Sequence, residues 1–427
     1  VNGTVGDPVA AFRDVAAAHA RCVWLDGGGA RAWSGRRSLL GWLEPDDVSL
    51  TYSAATREVV RHASGRSEVV GDDPFAVLEA ELAAGSSTDQ WFGYLGYAAR
   101  ADLPAYPSDT VPDAVWMRPS HVRLFDHEPG AGQAENLPRP RITGDVAPAS
   151  YAAHFGRVQE HLHAGNSYEV NLTYRADVAA DLDPATAYLR LRELNPAPYA
   201  GFLQHDVPGA EAWLLSSSPE RYAVVGADRS IETKPIKGTT LRGATPAEDD
   251  ARRRELAAEP RFRSENLMIV DLLRNDLSTV CEVGSVGVPV LMEVESYATV
   301  HQLVSTVRGR LRDDVTTLGA VRALFPAGSM TGAPKQRTME IVQEVEDTPR
   351  GAYAGAFGWV SADGRADLGV VIRSLTTAGD GVYRLGTGGG ITVHSSANEE
   401  YAESRWKAER LLRVFDADPP TPGGNTA

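Results

Sequence analysis

The chain has 427 residues, 43% of them hydrophobic and 23% charged, an ordinary soluble globular composition that suits one large domain or two smaller ones. Its formal net charge of −15 argues against non-specific nucleic-acid binding, so an anionic ligand would need local cations, a metal ion or backbone N–H groups. The two cysteines, Cys22 and Cys281, lie far apart and point to a reducing, cytoplasmic setting rather than a disulfide framework.

No apolar run reaches the roughly 18 residues of a membrane helix, so no membrane association is expected. The first residues lack the basic-then-apolar order of a signal peptide, and a chain opening on Val1 suggests an alternative start codon or an upstream segment. Pro8 to Ala18 predicts a helix, Cys22 to Leu25 a strand stopped by Asp26-Gly27-Gly28-Gly29, and Gly35 to Trp42 a second strand. A helix over Pro74–Ala84 follows, then the Gly/aromatic strand Gln90–Tyr97, whose rings read as core, and strand-like alternation over Val115–Phe125. His127 to Ala149 is rich in Gly, Pro and Ala and reads as a linker, which divides the chain into 1–149 and 150–416, with a disordered tail at 417–427.

The second part opens with a helix over Tyr151–Ala164 and the alternating strand Tyr168–Arg175. A helix over Pro184–Glu193 precedes strands near 200–203 and 212–216, and Ser218-Pro219-Glu220-Arg221-Tyr222 begins a strand pair leading to Lys237. Pro246–Glu259 reads as an exposed charged helix, and Ser264–Leu277 as a helix apolar nearly all round and therefore buried. Helices over Thr316–Leu324 and Gln336–Glu344, strands over Ala354–Ser361, Ala366–Thr376 and Val382–Gly386, and a last helix over Asn398–Phe415 complete the chain. Adjacent strand pairs outnumber βαβ alternation, which predicts an α+β fold with antiparallel sheets.

Several short stretches carry chemistry. In Lys234-Pro235-Ile236-Lys237-Gly238-Thr239, Pro235 stiffens the backbone and Gly238 permits a turn or a close approach, which puts Lys237 on a short platform. A lysine there is either a solvated strand end or a nucleophile with a lowered pKa. Glu265 in the apolar helix serves the helix dipole or a hard metal ion. Glu400, Glu403 and Lys407 share a face of the last helix, as a solvated face or as partners of Glu265 around Mg²⁺. Gly388-Gly389-Gly390 reads as a link between strands, either a hairpin turn or a cradle of bare N–H groups for an anion. Arg373, on the otherwise apolar strand 368–375, pairs with a carboxylate of the protein or of a ligand, and His301 is a satisfied core histidine or a substrate contact. Together these parts describe a site for a small dicarboxylate that uses Mg²⁺.

In this order the motifs resemble the chorismate-utilising enzymes, the family of the anthranilate synthase and aminodeoxychorismate synthase components I and the isochorismate and salicylate synthases. The resemblance runs from about Tyr151 to Phe415, strongest at 235–239, 265–276, 301–305, 325–335 with 339–341, 372–373, 388–391 and 403–407, and is looser over the N-terminal region at 35–41 and 92–97. It implies two packed, largely antiparallel sheets flanked by helices. It also implies Mg²⁺ on Glu265 and Glu403 with Glu400 close by, and substrate carboxylates on Arg373 and the 388–390 backbone, with Thr331, His301 and Lys407 in the same pocket.

Lys237 stands where the family's anthranilate synthases carry alanine, so the resemblance implies amination of chorismate at C4 through a Lys237 adduct, with Glu220 as the acid. The product would serve para-aminobenzoate and folate, and anthranilate synthesis is the alternative. A non-catalytic subunit that binds chorismate or tryptophan is a third reading, disfavoured by the joint presence of metal ligands and nucleophile. Glu169 stands where isochorismate and salicylate synthases have a water-activating lysine and where amidotransferase-linked members usually have glutamine. Ser404 likewise replaces the commoner threonine. Neither cysteine sits in a Gly-rich elbow with a histidine partner, so ammonia is expected from a separate glutamine amidotransferase subunit or domain. Relatives in the family also bind tryptophan in the N-terminal region, which makes tryptophan a possible ligand here.

Overall fold

The computed structural model describes residues 7–27, 37–127, 149–297 and 300–416. The expected linker apart from its two ends, the tail at 417–427, Gly28-Gly29 and the Gly35-Arg36 start of the second strand lie outside the described residues.

Among the described residues two sheets, of nine and twelve strands, organise the fold, and every strand pair within them is antiparallel. The nine-stranded sheet runs, in spatial order, Gly332–Ala333, Glu169–Ala179, Val382–Ile391, Ser374–Thr377, Ala212–Ser218, Tyr199–His205, Arg21–Asp26, Arg37–Trp42 and His121–Asp126. The twelve-stranded sheet runs Ile236–Leu241, Val300–Arg310, Ser230–Lys234, Arg221–Val225, Ala366–Val370, Ala356–Ser361, Gln90–Leu95, Ala114–Met117, Ser49–Ser53, Glu58–Ala63 and Arg66–Gly71, with Gly287–Ser296 paired to Val300–Arg310. Each sheet takes strands from both sides of residue 149, so the sequence boundary does not separate the two sheets.

The layers follow from period-2 alternation. Val23, Phe92, Tyr94, Leu203, Leu214 and Phe357, drawn from both sheets, pack into one cluster between them. Their chain neighbours point outward: Cys22, Trp24 and Phe202 under helices Pro8–Ala18 and Pro184–Leu194, and Trp91 and Leu95 under helices Pro74–Ala84, Pro260–Ser278 and Thr317–Leu324. The result is helix, sheet, sheet, helix.

Three of these helices start on the same device. Asp7, Asp73 and Asp183 cap the first turn through their carboxylates, and the proline that follows each needs no N–H partner.

Two expectations change. Helix Pro260–Ser278 is two-sided: Ile269, Val270, Leu273 and Leu277 are buried, whereas Leu267 is 53% exposed beside exposed Asp271 and Arg274. The meander of Ser49–Ser53, Glu58–Ala63 and Arg66–Gly71 was not anticipated. Its second turn is the Ser64-Gly65 pair, both at positive φ (51° and 70°), the geometry of a two-residue hairpin link.

Candidate active site

The site forms where the chain passes from one sheet to the other. Ala212–Ser218 belongs to the nine-stranded sheet and Arg221–Val225 to the twelve-stranded one, so Pro219 and Glu220 make the crossing. Ala366–Val370 and Ser374–Thr377 cross in the opposite direction through Val371–Arg373. The crossings are tied together: the Val370 N–H donates to the Glu220 carbonyl at 3.0 Å, and the Ser217 N–H to the Arg373 carbonyl at 3.2 Å. Arg373 has φ +49°, a left-handed conformation uncommon outside glycine. The single strand expected over 368–375 is therefore two strands, and Arg373 sits at the break between them.

A cavity of about 410 Å³ opens at these crossings. Ten of the twelve residues expected at the site line it: Glu220, Lys237, Glu265, Arg373, the three glycines 388–390, Glu400, Glu403 and Lys407.

Lys237 enters from the strand edge. The Ile236–Leu241 strand shifts register against Val300–Arg310 between Ile236 and Thr239, which puts a bulge at Lys237-Gly238. Gly238 has φ +86°, and a Cβ there would lie 2.8 Å from the Phe262 ring, so both conformation and space call for glycine. The Lys237 Nζ donates to Glu169 Oε1 at 2.5 Å. Burial works against its charge, but Glu169, Glu265 and Glu220 outweigh it and hold the ammonium above the ordinary lysine range.

Two helices bring acids to the same space. Glu265 is buried on Pro260–Ser278, and Glu400 and Glu403 stand on Ala397–Leu412. Arg261 bridges the helices, donating to Glu265 Oε1 at 2.9 Å and to Glu400 Oε1 at 2.5 Å. Burial first, then like-charged Glu403, push the Glu400 carboxyl up to about 7. Lys407 Nζ lies 2.9 Å from Glu403 Oε1 and donates to the Gly388 carbonyl at 3.0 Å. Burial also pushes the Glu220 carboxyl up to about 7, opposed by the 2.6 Å hydrogen bond from Ser329 Oγ and by Lys237, Arg373 and Lys407.

The glycine run is part of the strand Val382–Ile391, in register with Glu169–Ala179, rather than a turn or a link between strands. Its use is clearance. A Cβ on Gly388 would lie 2.1 Å from the Leu172 carbonyl oxygen, and one on Gly389 3.2 Å from Glu400 Oε2.

Two expected residues do not line the cavity. His301 is held by Ser296 Oγ at 2.8 Å and Asp249 Oδ1 at 3.0 Å and is 1% exposed; its neighbour Gln302 faces the cavity instead. Thr331 is fully buried, its hydroxyl directed at the Ala327 and Gly328 carbonyls. Strand alternation separates His301 from Gln302, a one-residue difference that the motif alone does not resolve. Sequence reasoning missed Arg261, Phe262, Ser329, Tyr353 and Trp406. Only Arg261 carried a signal, its i,i+4 spacing to Glu265. Both cysteines are buried free thiols, pushed up by burial to about 12 for Cys22 and about 11 for Cys281, which is not the setting of a thiolate nucleophile.

Residues 22–413 match the family described as chorismate binding enzyme. The chain belongs to that family. The aminodeoxychorismate synthase of Streptomyces pristinaespiralis is 41% identical over 96% of this chain and 64% of its own length. Aminodeoxychorismate synthase component 1 of Escherichia coli K12 is 41% identical over 62% of this chain and 57% of its own. The chain thus spans less than two thirds of the length of these two curated relatives. Among solved structures, anthranilate synthase component I from Streptococcus pneumoniae TIGR4 superposes with a TM-score of 0.73 at 25% identity, over 90% of this chain and 94% of that one. The two antiparallel sheets with flanking helices are the fold of this chorismate-binding family member, as its α+β reading anticipated.

Proposed function

We propose that this chain is the chorismate-aminating part of an aminodeoxychorismate synthase, which forms 4-amino-4-deoxychorismate from chorismate and ammonia. The observation that carries the reading is Lys237: a largely buried primary amine that lines the same cavity as Glu220, whose carboxyl burial pushes up to about 7, and the cation Arg373. The resemblance to proteins named aminodeoxychorismate synthase supports it.

In this reading Arg373 and Lys407 hold the substrate carboxylates. The Lys237 amine attacks C2 of the ring as the C4 hydroxyl departs, and Glu220 protonates that hydroxyl so that it leaves as water. Ammonia then bonds to C4, the two ring double bonds displaced in the first step shift back, and the C2–N bond to Lys237 breaks. The chain's two cysteines offer no glutaminase nucleophile, so ammonia comes from a glutamine amidotransferase partner or domain. Free ammonium substitutes for it in vitro.

Mg²⁺ fits the donor chemistry, since Glu265, Glu400 and Glu403 offer hard carboxylate oxygens to one cavity. Among the described residues no three His, Cys, Asp or Glu side chains already converge as a metal cage. That suits an ion which keeps several waters and is completed by substrate oxygens. When bound, the ion would neutralise substrate carboxylate charge, held by Glu265 and Glu403 with Glu400 beside them.

Anthranilate synthesis is the second reading, favoured by the likeness to the solved anthranilate synthase component I. The test is a product assay with chorismate, Mg²⁺ and ammonium, followed by conversion with an aminodeoxychorismate lyase. The 4-amino product is expected, and Lys237→Ala should lose it by at least a hundredfold. Anthranilate from the unaltered chain would replace the first reading with the second.

A further inference from the structure

The residue behind Lys237 departs from what the family resemblance leads one to expect. Glu169 is 1% exposed, its Oε1 accepts from Lys237 Nζ at 2.5 Å, and its Oε2 is buried without a hydrogen-bond partner. The fold holds the pair in place from several sides. The Glu169 backbone is paired with Ala333 at the sheet edge, and Ser167 Oγ donates to its carbonyl at 2.9 Å. A Cβ on Gly390 would lie 2.2 Å from Glu169 Oε1 and 3.3 Å from Lys237 Nζ, so this glycine leaves the space in which the two side chains meet.

A buried ammonium–carboxylate pair has a second form with the same net charge, in which the proton sits on the acid and the amine is neutral. A glutamine in this position would accept a hydrogen bond from the ammonium but would not take its proton. Building on the amination reading, we propose that Glu169 is the proton acceptor that releases the Lys237 amine for attack. One proton moves from Lys237 Nζ to Glu169. The free amine bonds to C2, and the C4 hydroxyl leaves as water with the Glu220 proton. Ammonia, having given its extra proton from ammonium back to Glu220, bonds to C4 and expels the Lys237 amine. Glu169 returns its proton, and the pair is restored. Ammonium and chorismate thus give the 4-ammonio product and water, with no other reactant.

The charged groups acting on Lys237 are Glu169, Glu265 and Glu220, and Glu220 is in turn influenced by Arg373 and Lys407. The chain has only four lysines, Lys234, Lys237, Lys335 and Lys407. Lys234 is paired with Glu295 and Lys335 with Asp276, so each lysine peptide is readable by mass and two serve as internal references. Arginine, used elsewhere for fixed positive charge, does not give up its proton.

The first measurement is competitive acetylation of the intact chain with acetic anhydride between pH 7 and 10.5, without chorismate. Glu169→Gln should raise Lys237 labelling relative to Lys335 at least tenfold at pH 8. Gly390→Ala, which crowds the carboxylate but keeps it, should move labelling the same way. Equal labelling of all three proteins would overturn the pairing, whatever reaction the site performs. The second measurement is kcat/KM for chorismate with free ammonia held constant. In the parent chain the proton stays within the pair, so Lys237 contributes no ascending limb below pH 8. Glu169→Gln should lie at least tenfold below the parent at pH 6.5, and its activity relative to the parent at the same pH should recover tenfold per pH unit as Lys237 loses its proton to solvent. A Glu169→Gln profile of the same height and shape as the parent would overturn the proton-acceptor role. Formation of anthranilate instead of the 4-amino product, with the labelling shift intact, would overturn the amination reading and leave the pair standing.

Discussion

Glu220 and Glu400 are both pushed up to about 7 by burial, yet the proposed reaction asks opposite things of them. In the proposed mechanism Glu220 is the acid and works protonated. Glu400, beside the carboxylates that would hold Mg²⁺, assists only when ionised. Below pH 7 the first condition is met and the second fails; above pH 7 the reverse holds. With Mg²⁺ scarce, kcat/KM for chorismate should therefore be a narrow bell centred near pH 7, where about half of each group is in its working form and about a quarter of the molecules have both. Mg²⁺ competes with a single proton for Glu400. Each tenfold rise in Mg²⁺ should move the acid limb about one pH unit lower until another group takes over. The alkaline limb should stay, and between pH 7 and 9 the protonated fraction of Glu220 falls about fiftyfold. Glu220→Gln should remove that limb and lower the rate by roughly 10²–10⁴. The assay is initial rate from pH 5.5 to 9.5 with free ammonia fixed, at two Mg²⁺ concentrations a hundredfold apart. An alkaline limb that persists in Glu220→Gln, or an acid limb indifferent to Mg²⁺, would refute the assignment.

Two further expectations concern the scaffold. His62 and His205 come from different sheets, their ring centroids lie 5.4 Å apart, and burial pushes their pKa down to about 4 and about 3. The unfolded chain then binds protons that the fold refuses below about pH 6.5, so stability falls with pH, by about 2 kcal/mol per histidine at pH 5. Urea unfolding of His205→Gln should show a shallower slope between pH 5 and 6.5, and an unchanged slope would sink the idea. Gly238→Ala should cost roughly 1–3 kcal/mol in the same assay, from its positive φ and the Phe262 contact, and should reduce amination further by moving Lys237.

Much of the fold was legible because its signals are local. Asp-Pro pairs at 7–8, 73–74 and 183–184 mark helix starts through the cap itself, and the short apolar runs at 22–25 and 91–95 declare buried strands. The meander over 49–71 escaped because its turn signal, Ser64-Gly65, lies between short strands of mixed polarity; its last strand, Arg66–Gly71, is largely exposed. The site was legible as a set of residues and illegible as a place. Arg373 and Glu220 meet because two chain segments cross between sheets and hydrogen-bond there, a relation between positions about 150 apart in sequence. The buried helix over 264–277 was misjudged for a related reason: whether Leu267 faces core or solvent depends on what packs beside the helix, and nothing within the helix itself says so.

The charge balance of the cavity implies one more dependence. Its wall carries five carboxylates, Glu220, Glu265, Glu399, Glu400 and Glu403, against four cations, Lys237, Arg261, Arg373 and Lys407. A dicarboxylate entering such a cavity meets no net attraction. Behind the wall Glu169 neutralises Lys237, so protonation of Glu220 still leaves one net negative charge, and one divalent cation turns this into one net positive charge facing the two carboxylates of chorismate. Ion and substrate should therefore bind each other's complex better than the protein alone, and by linkage the factor must be the same in both directions. Two unit charges of opposite sign about 4 Å apart interact by about 4 kcal/mol at an effective dielectric of about 20. Solvent and competing contacts reduce this, and a coupling of about 1–3 kcal/mol, roughly 5- to 150-fold, is the expected range. Calorimetric titration of chorismate with and without Mg²⁺, and of Mg²⁺ with and without chorismate, measures both arms in the absence of ammonia. Glu400→Gln removes one wall charge and should narrow the factor. Independent binding of the two would mean that the ion does not sit against the substrate carboxylates and that Arg373 and Lys407 carry them without it.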